Sequence, residues 1–111
     1  MLLGLPLNSL RKKLDKIDDR LLSLIKIRTG IVNKVLETKK YKKDIIDRQR
    51  INNILARIKK KSKLKKIDPK ITTKIWSAMI RAYIDFEYRN FKWFIYYVEV
   101  VFFQQILRAF L

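Results

Sequence analysis

The chain of 111 residues contains no cysteine and no histidine. Those absences exclude a disulfide, a thiol nucleophile, a histidine general base and any standard zinc site. Glycine and proline occur twice each, and acids number 10 against 27 Lys and Arg, for a net charge of +17. So large an excess suggests attraction to something negative: a nucleic acid, an anionic membrane or a small polyanion. Heavy use of Lys and Ile with scarce Gly and Pro is also the composition of an AT-rich gene, so the excess alone names no partner. The length suits one small domain. Met1 to Leu7 is apolar but too short for a signal peptide and has no basic leader. A soluble, cytoplasmic protein is the expectation.

One stretch organises the rest. From Leu10 to Lys39 apolar residues fall at Leu10, Leu14, Ile17, Leu21, Leu24, Ile31 and Val35, the spacing of a helical seam. Arg28 fills the gap where another aliphatic belongs, and Lys39 lies about three turns further on, on nearly the same face. A buried cation is costly unless an anion meets it, and this chain has few acids to offer. Asn8 or Ser9 is the expected cap, and nothing breaks the pattern before Lys40. Gly30 inside it costs about 1 kcal/mol relative to Ala. A lone helix of such length cannot bury its own stripe, so bundle packing or a second chain is implied.

Lys39 to Lys43 reads as a basic, exposed connection. A second helix follows from a cap at Asp44 or Asp47, with Ile51, Ile54, Leu55 and Ile58 inward. It ends in Lys59-Lys60-Lys61-Ser62-Lys63, where the helix dipole favours cations. Asp68-Pro69 is the clearest boundary, since Asp caps and Pro needs no N–H at the first helical position. In the third helix Ile71, Ile75, Ala78, Met79, Ala82 and Phe86 are expected on the core side, with Trp76, Tyr83 and Glu87 on an adjoining side. From Phe91 to Leu111 the helix is expected to continue as an apolar, aromatic tail. Lys92, Glu99 and Arg108 make it a poor membrane span, and packing against a partner is preferred to lying on a membrane surface.

Arg11 precedes Arg28 by seventeen residues, roughly 25 Å along one rigid helix. Both cannot grip one small ligand from one chain, so a shared site needs Arg11 from a second subunit. The run Leu10 to Asp18, then Leu21-Leu22, Arg28, Lys39, Asp47, Arg50 and Asp68, resembles the all-helical chorismate mutases from about Asn8 to Tyr88. That resemblance implies an all-α, intertwined homodimer of long–short–long three-helix subunits. Residues 8–90 would form the mutase-like domain and 91–111 an apolar helical extension. The implied reaction rearranges the dianion chorismate to prephenate without any cofactor.

Carried over residue by residue, the resemblance gives Arg28, and Arg11 of the other chain, the substrate carboxylate. Lys39 would donate to the ether oxygen of the breaking bond, Arg50 would hold the ligand, and Asp47 would accept from the ring hydroxyl. Glu87 stands where bacterial members commonly have Gln, the second donor to the ether oxygen. A carboxylate cannot donate but a carboxylic acid can, so activity should rise as pH falls. The family usually has Glu after the second-helix Arg, where this chain has Ile51. Arg50-Ile51 with Tyr83-Ile84 resembles the related isochorismate pyruvate lyases, which sets Tyr83 beside the substrate and that lyase activity as the alternative.

Each role has a structural counterpart. Arg28 could pair with Asp18 or Asp19 of a neighbouring helix, Asp47 could only cap, Arg50 could be solvated, Glu87 could pair with Arg28 or Arg81, and Tyr83 could only pack. A basic nucleic-acid-binding module using Lys39 to Lys43 and Lys59 to Lys66, or a catalytically degenerate dimeric protein, are the rivals set second.

Overall fold

The computed structural model describes the backbone of residues 6–110 and the side chains of residues 6–92 and 101–110. The apolar start at residues 1–5 and the side chain of Glu99 therefore lie outside the described residues. Among the described residues there are helices and no strand, so the fold class is all-α as expected. The chain divides into two compact units, one up to Asn33 and one from Lys34 onward.

Helix α1 spans Leu7–Glu37. It begins earlier than an Asn8 or Ser9 cap would set it. The Leu10 N–H donates to the Pro6 carbonyl at 3.2 Å, which puts Pro6 in the capping position and both polar residues inside the first turn. Proline loses nothing there, because the first N–H groups of a helix have no intrahelical partner. In the first unit the seam residues Leu10, Leu14, Ile17, Leu21, Leu24 and Ile31 are between 42% and 61% exposed.

The second unit opens with the last turn of α1, where Leu36 is buried. The Thr38 and Lys39 amides donate to the Val35 and Leu36 carbonyls, each at 3.0 Å. A short 3-10 turn at Lys42–Ile45 follows, and it buries Ile45. Helix α2, Arg48–Leu64, is capped by Asp47, whose Oδ1 accepts from the Arg50 amide at 2.9 Å. Ile54 is buried, with Ile51, Leu55 and Ile58 partly so, matching the inward face read from sequence. At the far end the Ile67 amide donates to the Ser62 carbonyl at 2.8 Å and the Lys66 amide to the Lys63 carbonyl at 3.1 Å. These two bonds close a Schellman motif, and Lys66 takes the left-handed conformation it requires, with φ 58°.

Helix α3, Pro69–Asn90, starts as its sequence demands: Asp68 accepts from the Lys70 amide at 2.9 Å and Pro69 opens the helix. It packs against α2 and the 3-10 turn. The buried stripe is Thr72, Ile80 and Glu87, flanked by half-buried Trp76 and Tyr83. This corrects the expected core face, since Ile71, Ile75, Ala78 and Ala82 are exposed. The helix carries two apolar stripes, and the stripe turned to α2 is the one holding Thr72. There the Thr72 and Ser62 hydroxyls meet at 2.6 Å, while Ser62 also donates to the Ile58 carbonyl. A satisfied hydroxyl pair makes burial of both residues affordable. Burying Ile54 and Ile80 contributes about 1.5–3 kcal/mol apiece.

The third helix does not run on into the tail. Asn90 turns its Nδ2 back to the Phe86 carbonyl at 2.8 Å, Phe91 is extended, and a separate helix α4 spans Trp93–Phe110. A side-chain amide competing for helix backbone groups favours such a stop. Phe102, Phe103 and Phe110 are exposed. Among the described residues no helix is long and apolar enough to cross a membrane.

Candidate active site

Lys39 and Glu87 are 48 positions apart in the chain and meet in the second unit. The Lys39 ammonium donates to Glu87 Oε1 at 3.0 Å and approaches the Ile45 carbonyl at 3.5 Å. Three local features produce this contact. The end of α1 turns the chain at Lys39, buried Leu36 and Ile45 anchor the connection, and α3 packs on the 3-10 turn. Lys39 is thus not part of an exposed loop; its side chain is 17% exposed and that of Glu87 9%. The lysines after it behave as expected: Lys40, Lys42 and Lys43 are exposed. Lys42 lies over the Tyr88 ring, 5.6 Å from its centroid.

A paired charge in such a place is a poor source of stability. Desolvation offsets the attraction, and an apolar pair of similar volume commonly does as well or better. The pair is therefore better understood by what it can do to an anionic ligand than by what it does for folding. The ammonium is a donor held by two acceptors, and the carboxylate is a second group on the same spot that changes from acceptor to donor on protonation.

The remaining candidate residues are distributed as follows. Asp47 caps α2 through the Arg50 amide, and both side chains are exposed. Tyr83, one turn before Glu87, is half-buried and meets Phe86 edge-to-face, with ring centroids 6.4 Å apart. Arg11 and Arg28 both lie on α1 in the first unit; Arg11 is exposed and Arg28 partly buried. Since α1 runs unbroken through both, their separation of about 25 Å along the helix stands.

Sequence reasoning did not find the Lys39–Glu87 contact or the Ile45 carbonyl beside it. One signal was available: Ile45-Ile46 is an aliphatic pair in an otherwise basic connection, and apolar residues there argue for an anchor. The cations at Lys59, Lys60, Lys61 and Lys63 are exposed and lie at the end of α2, where the dipole favours them. Ser62 in their midst is buried, so the run is only partly a solvated face.

No curated protein and no solved structure matches the chain. The profile described as chorismate mutase type II matches residues 10–88, a span that includes α2, most of α1 and most of α3 with both members of the buried pair. With most of its length covered by that profile, the chain belongs to the chorismate mutase type II family.

Proposed function

We propose that the protein is a chorismate mutase that converts chorismate to prephenate by holding the dianion in a reactive shape and stabilising charge on its ether oxygen. The observation that carries this reading is the Lys39 ammonium held at 3.0 Å from buried Glu87. The rearrangement needs no proton transfer and no covalent intermediate. It needs fixed donors where charge develops and a folded substrate, and a chain without His or Cys can supply both. In this reading Lys39 and Glu87 act on the ether oxygen, Arg28 and Arg50 grip carboxylates, and Asp47, already a cap, accepts from the ring hydroxyl with its remaining lone pairs. Tyr83 borders the substrate. Residues 8–90 carry the activity and 91–111 are an extension.

A homodimer belongs to the same proposal. The uncovered seam of α1 needs a partner surface, and Arg11 can serve a site only from a second copy. Ile51 and Tyr83-Ile84 keep a lyase reaction on isochorismate as the second reading. The test is chorismate consumption at pH 5 and pH 7.5, with the product identified. Prephenate formed faster at pH 5 supports the mutase. Pyruvate formed from isochorismate, with chorismate untouched, supports the lyase. Turnover of neither overturns both.

A further inference from the structure

We infer that α4 is a membrane-surface helix: Phe102, Phe103, Ile106, Leu107 and Phe110 enter the interface of an anionic bilayer, and the cations of the second unit hold its headgroups. The break at Phe91 makes α4 a helix of its own, Trp93–Phe110, rather than the end of α3. Over residues 101–110 the helical period divides it into two sides. Phe102, Phe103, Ile106, Leu107 and Phe110 fall on one, and Val101, Gln104, Gln105 and Arg108 on the other. The five large apolar residues are 38% to 85% exposed, and no acid occurs among residues 101–110. Glu99, one turn before Phe103 in the sequence, limits the contact to these last ten residues, about 15 Å of helix.

Aromatic content and charge say what covers that side. Helix α4 holds 7 of the chain's 13 aromatic residues. Trp93, Tyr96 and Tyr97 at its start are residue types enriched where membrane meets water. Residues 34–111 carry 20 Lys and Arg against 7 acids, so the unit that contains α4 holds +13 of the chain's +17. Lys59, Lys60, Lys61, Lys63, Lys65 and Lys66 are all exposed. A nucleic acid would answer this charge but not the apolar side. A second copy would answer the apolar side but meet the same charge on itself. An anionic bilayer answers both, since an amphipathic helix buries its apolar face at the headgroup boundary while lysines and arginines are drawn to acidic lipids. The contact is with the surface, because among the described residues no helix is long and apolar enough to cross.

The test is sedimentation of the full chain with vesicles of phosphatidylcholine and phosphatidylserine in equal parts, and of phosphatidylcholine alone, at about 0.1 M salt. The wild-type protein should partition to the anionic vesicles at least about tenfold more strongly than to the neutral ones. The double change Phe102→Ser and Phe103→Ser leaves the charge untouched and should weaken anionic binding at least about tenfold, the order that burial of a single Phe ring contributes. Wild-type protein left in the supernatant with both vesicle types overturns the membrane assignment. Equal partition to the two vesicle types overturns it, since charge then selects nothing. Equal anionic binding by wild type and double variant overturns it too, because adsorption then needs the cations alone. A halved mass of the double variant in light scattering without vesicles overturns it in favour of a second copy seated on α4. Circular dichroism checks that the variant keeps its helices. Should it lose them, Phe110→Ser at the 85% exposed helix end decides in its place: weaker anionic binding is expected, and unchanged binding overturns the assignment.

Discussion

The first unit and the α2–α3 hairpin solve the same problem in opposite ways. In the hairpin, Ile54, Ile80 and the Ser62–Thr72 hydroxyl pair are covered by the chain's own helices, and both helix starts are capped. In the first unit an equally regular apolar seam stands open from Leu10 to Ile31. The hairpin is locally complete; in the proposed dimer a second copy completes α1. A long apolar stripe left open to water favours a partner surface, so the contrast supports the proposed association of α1 with a second copy.

Activity gives the sharpest way to join or separate the two regions. Lys39→Ala in the second unit and Arg28→Ala in the first should each lower kcat/KM for chorismate by about 10²–10³, the usual loss on removing one fixed donor to developing charge. Full activity in Arg28→Ala would reduce the first unit to scaffolding. Next in size is stability. Ile80→Ala should cost about 2–5 kcal/mol in denaturant titration, and the cost should be the same at every protein concentration. Leu21→Ala should instead destabilise in a way that depends on concentration, because in the proposed dimer its burial comes from association. A concentration-independent loss for both would erase the contrast.

Smaller effects refine it. Lys66→Gly should stabilise the hairpin by about 1 kcal/mol, since a non-glycine residue in the left-handed region carries a penalty of that order. Gly30→Ala should add about 0.5–1 kcal/mol through helix propensity, because a Cβ at Gly30 meets nothing within 4 Å in this chain. A loss at Gly30 would mean that a second copy approaches the backbone closely there. Both changes are read as shifts in melting temperature.

What was legible in the sequence was local. Asp47 and Asp68-Pro69 announce helix starts because a cap is set by residues within one turn, and the seam of α1 is visible as a repeat along one helix. The buried face of α3 was not legible. Ile71 and Ile75 out-compete Thr72 and Ile80 on hydrophobicity, yet only packing decides which stripe meets α2, and Thr72 is admitted there by the Ser62 hydroxyl. The Lys39–Glu87 contact closes over 48 residues and depends on a connection folding back, so no periodicity reports it. The stop at Asn90 was hidden too, because neither Pro nor Gly marks it.

The mass of the full chain in solution, by light scattering at micromolar concentration, tests most directly whether α1 is completed by a second copy. The account predicts twice the 13.4 kDa chain mass. A helical, cooperatively folded species of 13.4 kDa would contradict it.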